Sequence, residues 1–229
     1  MNRQVEQLQI WLTAKGFPVT KDGLAGPETR KAILAAFANK KAPAVTDADI
    51  VALSSRLGCT PKQLRAVAKV ESGGSGFFPS GRPKLLWERH YFWRRMRVVI
   101  PGLSNPSPGG YTIDANRDGV NDSWERMADA MMRSPRFAVE SASWGKFQVM
   151  GAWWKQLGYA SSFDFAWRMR ESEYEHYEVL ARYIEVFGLK PALQALSADP
   201  ETCREFAKRY NGSGYERGGY HRKLAEAMR

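Results

Sequence analysis

Helix-start signals recur along this chain, and they constrain its fold more than any other feature. Thr60-Pro61-Lys62-Gln63 is a capping box with proline at the first helical position. Pro27 follows Gly26 in a similar setting, and Thr46 stands ready to cap a helix through Leu57. Apolar residues recur at helical spacing in Val5, Leu8 and Leu12, and again in Ala32, Ile33, Ala36 and Phe37. Tyr174, Tyr177, Ala181, Ile184 and Phe187 make the clearest stripe, on a long helix. Further helices are expected over 124–133, 190–198, 200–210 and 217–228. Residues 84–92 read as a short strand or extended segment. Residues 98–121, rich in Pro, Gly, Asn and Asp, read as irregular chain. The expected fold is therefore mainly α, with a short β segment.

At 229 residues the chain suits one sizeable domain with a small module attached. With 44% hydrophobic and 12% aromatic residues it can bury a real core, and it has no low-complexity tract. The net charge of +10 favours an acidic partner: nucleic acid, an anionic envelope surface or a wall polymer. It equally fits an ordinary surface of solvated lysines and arginines. The start, MNRQVEQLQIWL, carries Arg3 and Glu6 and lacks an apolar core of signal-peptide length, so synthesis in the cytoplasm without a signal peptide is expected. The longest uncharged stretch, 98–113, is broken by Pro101, Pro106 and Pro108, so no transmembrane segment is expected. Cys59 and Cys203 cannot complete a four-ligand zinc site, and reduced thiols are the default over a single disulfide. His90, His176 and His221 show no metal-ligand spacing. A monomer is expected.

The chain divides into a helical unit at 1–40, a polar linker at 41–46 and a larger domain at 47–229. In the first unit, Gly16, Asp22-Gly23 and Gly26 mark turns between the helices. The pattern Val5, Leu8-Gln9, Leu12, Gly16-Phe17, Asp22-Gly23, Gly26, Thr29 and Ala32-Ile33 resembles the peptidoglycan-binding domain that accompanies many wall hydrolases. That resemblance implies a small three-helix-type wall-binding module using Asp22, Gly23, Gly26 and Thr29. A generic helical hairpin is the alternative.

The stretch VAKVESGG, 67–74, raises the chemical question. Leu64, Val67, Ala68 and Glu71 are spaced by three and four, so Glu71 continues an apolar face. Apolar surroundings disfavour a carboxylate and raise its pKa. A carboxyl that keeps its proton near neutrality can protonate a glycosidic oxygen. Ser72-Gly73-Gly74 then supplies a turn that a polymer can approach closely. An exposed Glu at a frayed helix end is the alternative.

Two later segments bear on that choice: SASWGKFQVMG at 141–151 and RYNGSGY at 209–215. With VESGG they resemble, in order, the lysozyme-like superfamily of goose-type lysozymes and lytic transglycosylases. Glu71-Ser72 stands for its Glu-Ser, Gly145 to Gln148 for its Gly-x-x-Gln, and Tyr210-Asn211 for its Tyr-Asn. KLLWERHYF (84–92), NPSPGGY (105–111) and the ending GYHRKLAEAM are similar to the N-acetylmuramidase family of phage endolysins. The resemblance implies a lysozyme-like, α-rich catalytic domain acting on peptidoglycan, with Glu71 as general acid. Glu88 becomes the second carboxylate, steadying oxocarbenium-like charge or activating water; a salt bridge to Arg89 or another arginine is its alternative. Tyr210 would hold Glu71 or line the cleft. Ser72, Ser143, Gln148 and Asn211 would meet sugar hydroxyls and acetamido groups. Trp124, with Trp144, Trp153 and Trp154, would stack on sugar faces unless these indoles serve packing.

DANRDGVNDSWE, 114–125, matches the spacing of a calcium loop. Asp114, Asn116, Asp118, the Val120 carbonyl, Asp122 and Glu125 would be the ligands, and the ion would be structural. A polar loop capped by Asp122 is the alternative. No cofactor is required for hydrolysis.

The leading expectation is an endolysin that is released to the wall and cleaves the β-1,4 bond between N-acetylmuramic acid and N-acetylglucosamine. A lytic transglycosylase would use the same acid and leave 1,6-anhydro ends. A non-catalytic basic protein, binding wall or nucleic acid, is the reading from another class; no nucleic-acid-binding motif supports it, so no specific nucleic-acid partner is expected.

Overall fold

The computed structural model describes residues 2–72 and 74–229; Gly73, part of the expected 72–74 turn, lies outside the described residues. In chain order the helices begin with α1 (Arg3–Ala14), α2 (Pro27–Ala36), α3 (Asp47–Leu57) and α4 (Pro61–Glu71). Strand β1 (Leu85–Trp87) runs directly into α5 (Arg89–Met96). Then come α6 (Ser123–Met131), α7 (Pro135–Glu140), β2 (Ala142–Trp144), β3 (Val149–Met150) and α8 (Ser162–Glu171). The chain ends with α9 (Glu173–Val186), α10 (Lys190–Gln194), α11 (Arg204–Asn211) and α12 (Tyr220–Ala227). The fold is mainly α with a small sheet. Among the described residues, no helix is long and apolar enough to cross a membrane.

The chain packs as two compact units. One comprises residues 1–41 and 77–170, the other 42–76 and 171–229. The chain leaves the first unit inside the expected linker, but residues 1–41 share their unit with 77–170.

In the first unit, α1 and α2 are joined through a buried amide. Gln9 is 1% exposed, and its Nε2 donates to Asp22 Oδ1 at 2.9 Å, with Leu24 O and Thr29 Oγ1 each at 3.1 Å. Its Oε1 accepts the Gly23 N–H at 2.8 Å. Every polar group of this buried side chain is thus partnered, which is the condition for its being tolerated there. Phe37, at the end of α2, joins an aromatic core: its ring lies 5.1 Å from Trp124 and 6.1 Å from Trp144.

The sheet has the order β1-β2-β3, all antiparallel. Leu85 pairs with Trp144, Trp87 with Ala142, and Ser143 with Met150. Gly145 and Gln148 turn the β2–β3 hairpin, both at positive φ (69° and 50°). Gly151 follows where no side chain fits: a Cβ there would stand 2.1 Å from the Val139 carbonyl oxygen. Trp144 is held at the same spot, its indole N–H donating to Val139 O at 3.0 Å.

In the second unit, the capping box expected at Thr60 with Gln63 forms, and Thr46 caps α3 as expected, in a second box with Asp49. Arg56 of α3 bridges two carboxylates of α9, Glu178 at 2.8 Å and Glu185 at 2.5 Å. Gln63 of α4 reaches the end of α10, donating to Gln194 O at 2.6 Å. Helix α12 packs along α4, which brings the chain's last helix to the end of the helix that carries Glu71. The helix expected over 200–210 opens instead as a 3₁₀ turn at Pro200–Cys203 before α11, and the one expected from 217 starts at Tyr220.

Candidate active site

Glu71 is the last residue of α4 and follows the buried Leu64, Val67 and Ala68 on one face. It is half-buried. Tyr220, in the first turn of α12 and 6% exposed, donates its phenolic hydrogen to Glu71 Oε1 in a short hydrogen bond. Burial pushes the Glu71 carboxyl above its ordinary value of 4.5, and the Tyr220 bond opposes that shift. The Tyr220 hydroxyl is driven well up, by burial first and then by the Glu71 charge, so it stays a donor throughout the working range.

Sequence reasoning had Tyr210 hold Glu71 or line the cleft; Tyr220, which it did not single out, supplies a hydrogen bond to Glu71. Tyr210 lies within electrostatic reach, since burial and then the Glu71 charge raise its hydroxyl far above the ordinary tyrosine value. Its ring stacks on Phe206 at 5.3 Å and lies 6.4 Å from the Tyr220 ring. Asn211 is exposed at the end of α11. Ser72 Oγ donates to the Gly74 carbonyl at 3.3 Å. This cluster of carboxyl, phenols and an exposed amide lies entirely within the second unit.

The first unit holds a different cluster around Glu88, the residue between β1 and α5. Its side chain is 14% exposed. The Tyr111 hydroxyl donates to Glu88 Oε2 at 2.8 Å, and His90 Nδ1 stands 3.3 Å from the same oxygen. Burial is the main cause that lowers the His90 pKa, which keeps this imidazole neutral near pH 7. Among the described residues, Glu88 makes no ion pair with Arg89 or another arginine, its alternative role. The Arg89 guanidinium instead donates to the carbonyls of Ser107 and Pro108, both at 2.9 Å. Arg126 donates to Gly110 O at 2.7 Å. Two guanidiniums thus grip the 105–111 loop from which Tyr111 reaches Glu88. Gly110 sits at φ 76°, where a side chain would be strained.

The other expected contact residues of this unit divide. Gln148 is half-buried, and its Nε2 donates to Gly145 O at 2.8 Å. Ser143 is 7% exposed and donates to Met150 Sδ at 3.1 Å, inside the sheet. Trp124 is corrected to a packing side chain. It is 3% exposed, its indole N–H donates to Pro83 O at 2.8 Å, and Phe37 and Trp144 pack against its ring. Its face is covered before any sugar can arrive. Trp144, 1% exposed, is likewise core.

In the first helical hairpin, Asp22, Gly23 and Thr29 are all tied to Gln9, and Thr29 is 2% exposed. Gly26 is the residue before α2 and is half-buried. In the 114–125 loop the side-chain oxygens turn onto the loop itself. Asp114 accepts from the N–H groups of Asp118 and Gly119 at 3.1 and 3.0 Å. Asp118 accepts from Val120 N at 2.8 Å, and Asp122 from Ala115 N at 2.9 Å. Asn116 donates to Asp118 Oδ2 at 3.2 Å. Glu125 lies in the first turn of α6. Among the described residues, no three His, Cys, Asp or Glu side chains are grouped as a metal would require. The thiols of Cys59 and Cys203 are free.

Residues 60–229 match the N-acetylmuramidase family. The whole chain is similar in fold to a solved structure described as the crystal structure of Burkholderia AP3 phage endolysin. The two are 33% identical, the match covers 99% of this chain and 94% of that one, and the TM-score is 0.71. No curated protein matches the chain.

Proposed function

The chain belongs to the N-acetylmuramidase family and is a peptidoglycan-degrading glycoside hydrolase of the phage-endolysin type, and we propose that it cuts the β-1,4 bond between N-acetylmuramic acid and N-acetylglucosamine with Glu71 as general acid. The observation that carries this reading is the half-buried Glu71 carboxyl whose pKa is raised by burial and whose orientation is fixed by Tyr220. A carboxyl of that kind holds its proton until the leaving oxygen needs it.

In the first step the Glu71 proton passes to the glycosidic oxygen as its bond to C1 breaks. Positive charge develops at C1 and the ring oxygen. We assign the second carboxylate to Glu88, which Tyr111 holds by hydrogen bond. It steadies that charge or takes a proton from the attacking water, as paired carboxylates do in glycosidases. Water closes the reaction with a hydroxyl at C1. The amides of Gln148 and Asn211 suit acetamido and hydroxyl groups of the sugars. Asp22 and Gly26, in the turn shaped by Gln9, are the candidate wall-holding residues, with the buried Gly23 and Thr29 supporting them, which would raise the local concentration of enzyme on an insoluble polymer. None of these steps requires a metal.

Digestion of purified walls tests the reading. Wild type should release fragments with free reducing N-acetylmuramic acid ends, and Glu71→Gln should slow release by about 100-fold or more. Products lighter by one water would mark a lytic transglycosylase. Equal release by Glu71→Gln would remove Glu71 from the mechanism.

A further inference from the structure

A cavity of about 420 Å³ opens on α2 in the first unit. Pro27, Leu34 and Ala35 give it an apolar lining, and among the described residues Arg30, Lys31 and Arg82 supply its charged groups. Arg82 is half-buried. Its Nε donates to Leu34 O at 3.0 Å, and among the described residues it makes no salt bridge. Burial first, and then the like charge of Arg30, work against its cationic form. Glu125 and Asp118 attract it electrostatically, but neither lines the cavity nor comes within ion-pair distance. Arg30 is paired at Nε with Asp129, at 2.6 Å, which also lies outside the lining.

Three cationic side chains border this apolar hollow, and Arg82 makes no ion pair there among the described residues, so an anion placed among them gains charge-assisted hydrogen bonds. Guanidiniums suit a carboxylate because two parallel N–H groups match its two oxygens. The apolar lining then selects what the carboxylate is attached to. Peptidoglycan carries short peptides that end in a carboxylate on a small apolar residue. We propose that this cavity binds the terminal carboxylate of such a wall peptide, with the peptide's methyl groups against Pro27, Leu34 and Ala35. The inference rests on the peptidoglycan substrate but not on Glu71.

The test uses the full chain in a ¹H–¹⁵N titration with acetyl-D-alanyl-D-alanine, its carboxy-terminal amide, and inorganic phosphate. The acid should saturably shift amides of residues 28–35. The amide should bind about ten-fold more weakly or worse, because it loses the charge-assisted bonds. Phosphate should also bind more weakly, since it leaves the apolar lining unfilled. Arg82→Gln and Lys31→Gln should each weaken the acid several-fold; Lys31 is exposed, so its variant does not endanger the fold. Equal binding of acid and amide, stronger binding of phosphate, or no change in the Lys31→Gln and Arg82→Gln variants would overturn the proposal. Wall digestion by the same samples separates the two readings. Lysis without dipeptide binding sinks the cavity alone, and dipeptide binding without lysis sinks the hydrolase reading alone.

Discussion

Tyr220 donates to Glu71 across 149 residues of sequence, and the bond ties the first turn of α12 to the last residue of α4. It also sets two opposing influences on one carboxyl. Burial raises its pKa, and the phenol, which bonds best to the charged oxygen, lowers it.

Removing the phenol should therefore show a pH signature. In Tyr220→Phe the carboxyl loses the bond that favours ionisation, so its pKa rises further and it stays protonated to higher pH. The basic limb of the kcat profile should move up. At the optimum, where Glu71 holds its proton, kcat should fall about two- to ten-fold through lost orientation, the size of one neutral hydrogen bond. The deficit should narrow as pH rises. A basic limb that moves down would contradict the assignment.

Stability should depend on the same group. Folded Glu71 has a higher pKa than the unfolded chain, so its contribution is complete below 4.5 and is lost as pH rises through the folded value. Glu71→Gln stays neutral throughout. Its stability by urea unfolding should match wild type at low pH and exceed it at pH 7 and above. Each ten-fold difference in proton affinity between folded and unfolded chain is worth about 1.4 kcal/mol. A variant less stable than wild type at pH 8 would mean that the carboxylate is welcome in its pocket.

Tyr111→Phe should leave the fold intact, because Arg89 and Arg126 still hold the loop carbonyls. It should lower kcat by about 10-fold to 100-fold with little change in KM, since a hydrogen bond to a charged group contributes about 1.5–3 kcal/mol. Circular dichroism and steady-state kinetics on soluble muropeptides would check both halves of that expectation.

Gln9→Leu should cost about 1–3 kcal/mol, because the buried Gly23 N–H loses its acceptor. The measurement is the midpoint of thermal unfolding. Gln9→Glu should do worse, since a carboxylate cannot donate to Asp22, Leu24 or Thr29.

Local chemistry was easy to read in the sequence. Thr46 and Thr60 cap helices through bonds confined to four residues, so their spacing announces them. Glu71 was visible because it continues an apolar stripe. Tyr220 was not, because three tyrosines crowd 210–220 and only the packing of α12 on α4 selects among them. Tyr111 was hidden in a Pro- and Gly-rich loop whose course is set by two distant arginines. Trp124 misled because an indole suited to a sugar face is equally suited to a core. Helix α7 did carry a readable signal, Ser134 followed by Pro135. Strands β2 and β3 did not: two or three residues are too few for an alternation to register.

The most direct measurement is the ionisation of one side chain. With ¹³C-labelled glutamate in the full chain, and Glu71→Gln to assign the resonance, the Glu71 carboxyl should titrate above the ordinary 4.5. A midpoint at or below 4.5 would show a solvated, ionised carboxylate, and Glu71 could not be the proton donor.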